Sequence, residues 1–204
     1  MRARRPLALA AAGLALVLAV SACGSGHSGD HGGSGDASAS VATGRAADIA
    51  FAQLMIPHHE QAVEMADMAL ARVTSPEVRE LAVQIKAAQD PEIAQMRSWL
   101  SEWGAPAQMP GMEHGSDDHS GHDMGGMSMS GMMTAEDMAA LEAATGDVFD
   151  RMWLQMMIEH HEGAVAMADQ VLAATDDARV EKLAQAVIAG QRAEIAEMKG
   201  LLAP

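Results

Sequence analysis

Between residues 51 and 70 the apolar positions recur every three or four residues, the spacing of one face of an α-helix. Phe51, Met55, His58, Ala62, Met65 and Ala69 form one stripe, and Ala52, Ile56, His59, Val63, Ala66 and Leu70 form its neighbour. Pro57, Glu60, Glu64, Asp67 and Ala71 trace the opposite, solvated side. A second stripe runs through Val78, Ala82, Ile85, Gln89, Glu92, Met96 and Trp99. The pattern therefore predicts two helices joined at Thr74-Ser75-Pro76-Glu77, where a capping hydroxyl precedes a Pro suited to the first helical turn. Gly104 ends the second helix.

The same unit occurs twice. Phe51 to Leu100 aligns without a gap onto Trp153 to Leu202 at a constant offset of 102. Met55-Ile56-Pro57-His58-His59-Glu60 falls on Met157-Ile158-Glu159-His160-His161-Glu162, and Met65-Ala66-Asp67 on Met167-Ala168-Asp169. Gln89, Glu92, Ile93, Ala94 and Met96 fall on Gln191, Glu194, Ile195, Ala196 and Met198. Thr175-Asp176-Asp177 breaks the second unit, and Thr134-Ala135-Glu136-Asp137 resembles a capping box opening a short helix that ends near Gly146. Pro57 and Pro91 lie inside predicted helices and are not repeated in the second unit. The expected fold is all-α, a four-helix bundle of two duplicated helical hairpins with pseudo-two-fold symmetry, its long helices nearly ~40 Å in length. Residues 45–103 would form the first hairpin and residues 134–204 the short helix and second hairpin, with residues 104–133 as the crossover.

Composition removes several function classes. Of 204 residues, 28 are acidic and 13 basic, and a formal charge of -15 repels phosphate while attracting cations, so nucleic acid is not an expected partner. Aromatic residues make up 2%, too few for a typical β-sandwich core. A single Cys excludes a disulfide framework, an iron–sulfur cluster and a thiolate zinc site within one chain. That Cys has another meaning. Arg2, Arg4 and Arg5 precede an apolar stretch, Leu7 to Val20, and then Val20-Ser21-Ala22-Cys23, which looks like a bacterial lipoprotein box. Residues 1–22 are expected to be a lipoprotein-type signal peptide, with Cys23 lipidated and residues 23–44, carrying His27 and His31, a flexible tether. Cleavage removes three Arg and no acid, leaving 10 basic against 28 acidic side chains and a charge of -18. The expected location is the outer face of the cell membrane, with the lipid as anchor.

Polar residues on the apolar stripes are the candidate chemistry. His58 and His59 sit mid-way along the core face of their helix, and Gln89 and Glu92 interrupt the face of the next; His160, His161, Gln191 and Glu194 repeat this. A buried His or Glu is costly unless paired or ligated. Thioethers at Met55, Met65 and Met96, and at Met157, Met167 and Met198, accompany them, although Met at helical spacing is more often core than ligand. One expectation is metal ligation by these His, Glu and Met residues, with Gln89 and Gln191 behind the ligands. The other is a hydrogen-bonded network in which Glu92 orients His58 or His59. Adjacent residues diverge by about 100° on a helix, so one His of each pair could ligate while its neighbour hydrogen-bonds.

The crossover is a second candidate. Met109, Met112, His114, His119, His122, Met124, Met127, Met129, Met132 and Met133 are spaced by Gly, Ser and Asp, a composition that cannot pack as a core. Thioethers suit Cu(I), and imidazoles suit Cu(II) and other transition ions. Met124, Met127, Met129, Met132 and Met133 could wrap a cuprous ion, while His114, His119 and His122 with Asp117 or Asp118 could hold a cupric one.

The duplicated M-I-x-H-H-E, M-A-D and Q-x-x-E-I-A-x-M pattern resembles the bacterial domain-of-unknown-function 305 family, over roughly residues 45 to 204. The resemblance implies a secreted or lipoprotein helical bundle of ferritin-like fold, associated with copper handling outside the cytoplasm. A ferritin-type di-iron centre needs Glu together with Glu-x-x-His, whereas this chain has His-His-Glu and Gln-x-x-Glu. The expected function is copper sequestration, tolerance or transfer, with copper as Cu(I), Cu(II) or both, other transition metals remaining open, and a copper donor or acceptor protein among its partners. A metal oxidase and a metal-free scaffold are the alternatives. No Ser/His/Asp order, phosphate loop or Cys nucleophile is readable, which favours binding over catalysis.

Overall fold

The computed structural model describes residues 35–108 and 130–203. These residues are all-α: α1 (Gly35–Arg72), α2 (Pro76–Glu102), α3 (Ala135–Ala143), α4 (Gly146–Leu172) and α5 (Ala178–Leu202). Ser75 caps α2 by accepting from the Val78 N–H at 3.2 Å, and Pro76 supplies the first turn. Thr134 and Asp137 form a reciprocal capping box at α3, and Asp177 caps α5. Helix α1 starts earlier than the sequence suggests: Gly35 to Gly44, assigned above to the tether, are helical. The stretch is rich in Ala, and extending an existing helix costs far less than nucleating one.

Helices α1 and α2 form one antiparallel hairpin, α4 and α5 the other, and α1 packs on α4. The core divides into two clusters. One joins Phe51 to Ile56 of α1 and Ile93 to Leu100 of α2 with Ala164 to Val171 of α4 and Val180 to Val187 of α5. The other joins Ala62 to Val73 and Val78 to Ile85 with Phe149 to Met157 and Met198. Each segment's counterpart at the 102-residue offset lies in the opposite cluster, so a pseudo-two-fold relation exchanges the two ends of the bundle. The paired segments also show α1 running antiparallel to α4. Surface ion pairs follow the same relation, with Arg97 on Glu60 and Lys199 on Glu162.

Two buried carboxylates hold the loops. Asp150 accepts from the Thr74 hydroxyl at 2.7 Å, the Ser75 N–H at 2.9 Å and the Thr74 N–H at 3.2 Å, clamping the α1–α2 turn onto α4. Asp48, its counterpart, is buried against the α4–α5 turn, where burial raises its pKa and the Thr175 side chain opposes that shift. Bonds to a charged acceptor are worth more than neutral ones, so Asp150→Ala should lower stability by about 3 kcal/mol. Urea unfolding of the metal-free protein checks this, and a loss under ~0.5 kcal/mol, the size of an ordinary surface substitution, would show that the clamp is dispensable.

Candidate metal centre

Between the two apolar clusters lies a polar layer. His58 and His59 of α1 and His160 and His161 of α4 are all 0% exposed. Because neighbours diverge by about 100° around a helix, each pair splits between two directions. His59 Nε2 meets Glu92 Oε2 of α2 at 2.8 Å, and His161 Nε2 meets Glu194 Oε2 of α5 at 2.7 Å. His58 and His160 instead meet across the α1–α4 contact, their ring centroids 3.7 Å apart and their planes tilted by 42°. His58 Nε2 also donates to the Ser130 carbonyl at 3.2 Å.

A carbonyl or a carboxylate only accepts, so Nε2 is the donor in His58, His59 and His161. The Nδ1 atoms of those three residues, and both ring nitrogens of His160, are buried with no hydrogen-bond partner. Burial, and then the neighbouring His59, pushes the His58 pKa down to about 3, against the weaker opposing effect of the Ser130 carbonyl. Burial, followed by His58, holds His160 well below 6.5. Both are neutral at neutral pH, the state in which imidazole binds metal.

The two Glu residues reach from the histidines to the α2–α5 seam. There Gln89, Gln191, Glu92 and Glu194 line a cavity of about 30 Å³. Both amide atoms of Gln89 and the Oε1 of Gln191 are buried without a partner. The Glu of each His-His-Glu motif points elsewhere: Glu60 and Glu162 are exposed and bind Arg97 and Lys199. Among the described residues no group of three or more His, Cys, Asp and Glu is gathered as a metal set. The imidazoles are paired off by hydrogen bonds and by the tilted ring contact of His58 with His160.

The methionines flank this layer. Met55, Met96 and Met167 are buried in one apolar cluster, and Met65, Met157 and Met198 in the other. The Met133 side chain is buried in the second cluster, and Gln61 binds its N–H at 2.8 Å and its carbonyl at 2.9 Å. Met132 is half-buried beside it. Cys23, Met109, Met112, His114, His119, His122, Met124, Met127 and Met129 lie outside the described residues.

The returning crossover was not anticipated as part of the site. Gly131 has φ +83°, and a Cβ added at Gly163 would lie 1.8 Å from the Ser130 oxygen, so the two backbones touch where any side chain would separate them. The available signal was a break in the repeat, since Gly163 stands where the first unit has Gln61.

The depressed histidines make the metal-free fold acid-sensitive. Below 6.5 the unfolded chain takes up protons at positions 58 and 160 that the folded chain refuses, so stability present above 6.5 is lost as pH falls toward the folded-state values. At ~1.4 kcal/mol per pH unit, His58 alone should remove about 2 kcal/mol by pH 5, and His160 acts in the same direction. Denaturant unfolding across this range measures it, and His58→Gln with His160→Gln should flatten the dependence.

The family described as Domain of unknown function (DUF305) matches residues 48–202. A DUF305 protein of Streptomyces coelicolor is 35% identical, with 76% of this chain and 90% of its own covered and a TM-score of 0.66. CopM in its Cu(II)-bound form is 35% identical, covering 76% of this chain and 95% of its own, with a TM-score of 0.64. The Cu(I)-bound form gives 32%, 76%, 94% and 0.59, and CopM has also been crystallised with silver. No curated protein matches the chain. With the family match spanning most of its length, the chain belongs to the DUF305 family.

Proposed function

We propose that this protein binds copper outside the cytoplasm and sequesters it or passes it on, held to the outer face of the membrane by a lipid on Cys23. The observation that carries this is the set of buried imidazole nitrogens with no partner in the middle of the bundle. Glu92 and Glu194 hold the His59 and His161 rings by Nε2, leaving Nδ1 as the ligand atom, the way carboxylates commonly support metal-binding histidines. His58 and His160 supply further nitrogens once their rings separate. Met55, Met65, Met96, Met157, Met167 and Met198 place soft sulfur on both sides of the layer, and Met112, Met124, Met127, Met129 and Met132 with His114, His119 and His122 capture ions in the crossover. A protein able to take both oxidation states fits this mixture, and CopM has been crystallised with each. The carboxylates are engaged with imidazole, which supports binding over a carboxylate-bridged oxidase.

Competition titrations with anaerobic Cu(I) and aerobic Cu(II) test this on the soluble chain carrying Cys23→Ser. Deleting residues 109–129 should remove the crossover sites and leave the buried one. In that background Glu92→Gln with Glu194→Gln should weaken copper about 10–100-fold. Replacing His58, His59, His160 and His161 by Ala should abolish the buried site. Undiminished affinity in the four-His variant would overturn the assignment.

A further inference from the structure

The histidine layer has two flanks, and they differ. Over α1 and α4 the returning crossover is packed shut: the Ser130 carbonyl takes the His58 Nε2–H, and Gly131 rests on α4 at Gly163 with no room for a methyl group. On the other flank, between α2 and α5, lies the cavity of about 30 Å³, enough for about one water-sized group. Gln89 is 2% exposed with neither amide atom partnered, and Gln191 is 4% exposed with its Oε1 unpartnered. A buried amide in this state lacks bonds it would have in water. Glu92 and Glu194 complete the walls; their side chains are 20% and 16% exposed, and each already touches a histidine.

We propose that this cavity is a cation port, in which Gln89, Gln191, Glu92 and Glu194 hold a divalent ion that has shed most of its water on its protein-facing side before it enters the histidine layer. The proposal rests on copper binding by that layer. Amide and carboxylate oxygens are hard donors, so the port takes Cu(II) and similar oxygen-preferring divalent ions and discriminates against Cu(I). The four residues form two i, i+3 pairs related by the internal repeat, so both hairpins present the same pair of donors to the ion. Gln and Glu on one flank and Ser130 on the other make passage one-sided. The negative charge of the chain brings cations to the seam.

Ala88 and Gly190, equivalent in the repeat and both exposed, border the cavity, and a Cβ at Gly190 meets nothing within 4 Å. Gly190→Phe therefore covers the mouth while improving helix propensity. All three Trp lie in the bundle, at 99, 103 and 153, so in the chain lacking residues 109–129 stopped-flow quenching of their fluorescence reads Cu(II) arriving in the bundle. Gly190→Phe should slow Cu(II) arrival and departure at least tenfold and leave equilibrium affinity within twofold. Unchanged rates would overturn the port. Mn(II), an oxygen-preferring paramagnetic probe, should bind the wild type and lose that binding in Gln89→Leu/Gln191→Leu; equal Mn(II) binding in both would also overturn it. If no copper reaches the bundle of the wild type, the histidine-layer assignment fails alone, and the Mn(II) comparison still decides the cavity.

Discussion

Four imidazoles must be buried at one level of a helical bundle, and much of the rest of this structure answers that requirement. Each helix of the central pair brings two adjacent histidines, and the turn of the helix sends one toward its hairpin partner and one toward the facing helix. The outward member needs an acceptor, which Glu92 and Glu194 provide from α2 and α5. The inward members need a small separation between α1 and α4, and their rings come into contact. Apolar clusters seal the layer above and below, which lowers the local dielectric and pushes His58 and His160 toward the neutral form.

Symmetry explains the supports, and its violations mark where the crossover docks. The hairpin turns, the buried Asp48 and Asp150, the carboxylate–imidazole pairs and the cross-hairpin ion pairs all occur twice. The crossover can dock only once. Where it does, the repeat departs from itself: Gln61 binds the Met133 backbone, and its counterpart Gly163 gives up its side chain so that Ser130 and Gly131 can lie against α4. The methionines are uneven as well. Met68, Met138, Met152 and Met156 crowd the second cluster beside Met132 and Met133, adding thioether to the end at which the crossover returns.

The helices and their caps were legible because apolar spacing and capping side chains are properties of residue identity. So was the pairing of Glu92 with one of two histidines, but which one depends on how α2 lies beside α1, and periodicity leaves both open. The role of Ser130 was hidden for a different reason: every residue carries a backbone carbonyl, so a hydrogen bond from His58 to that group leaves no mark on the sequence. Met133 looked like its neighbours in a Met-rich segment, and only the Gln61 clamp separates it from them. The helical start at Gly35 was masked by an Ala/Ser composition that suits a tether as well as a helix. Asp48 and Asp150 stood just ahead of the aligned repeat, where no apolar pattern drew attention to them.

A bundle arranged for stability alone would satisfy its buried polar atoms or replace them with apolar ones. Here five imidazole nitrogens and three amide atoms in the middle layer have no partner. At roughly 1–3 kcal/mol for each unsatisfied buried group, the sum reaches the size of a whole domain's stability. Flanking apolar clusters, duplicated loop clamps and good caps can carry such a burden, and functional sites are where local rules are broken in this way. A metal that accepts the nitrogen lone pairs, with water or an ion meeting the amides, removes most of the cost. If copper occupies this layer as proposed, occupancy and stability are coupled, and the loaded protein is the better-satisfied fold.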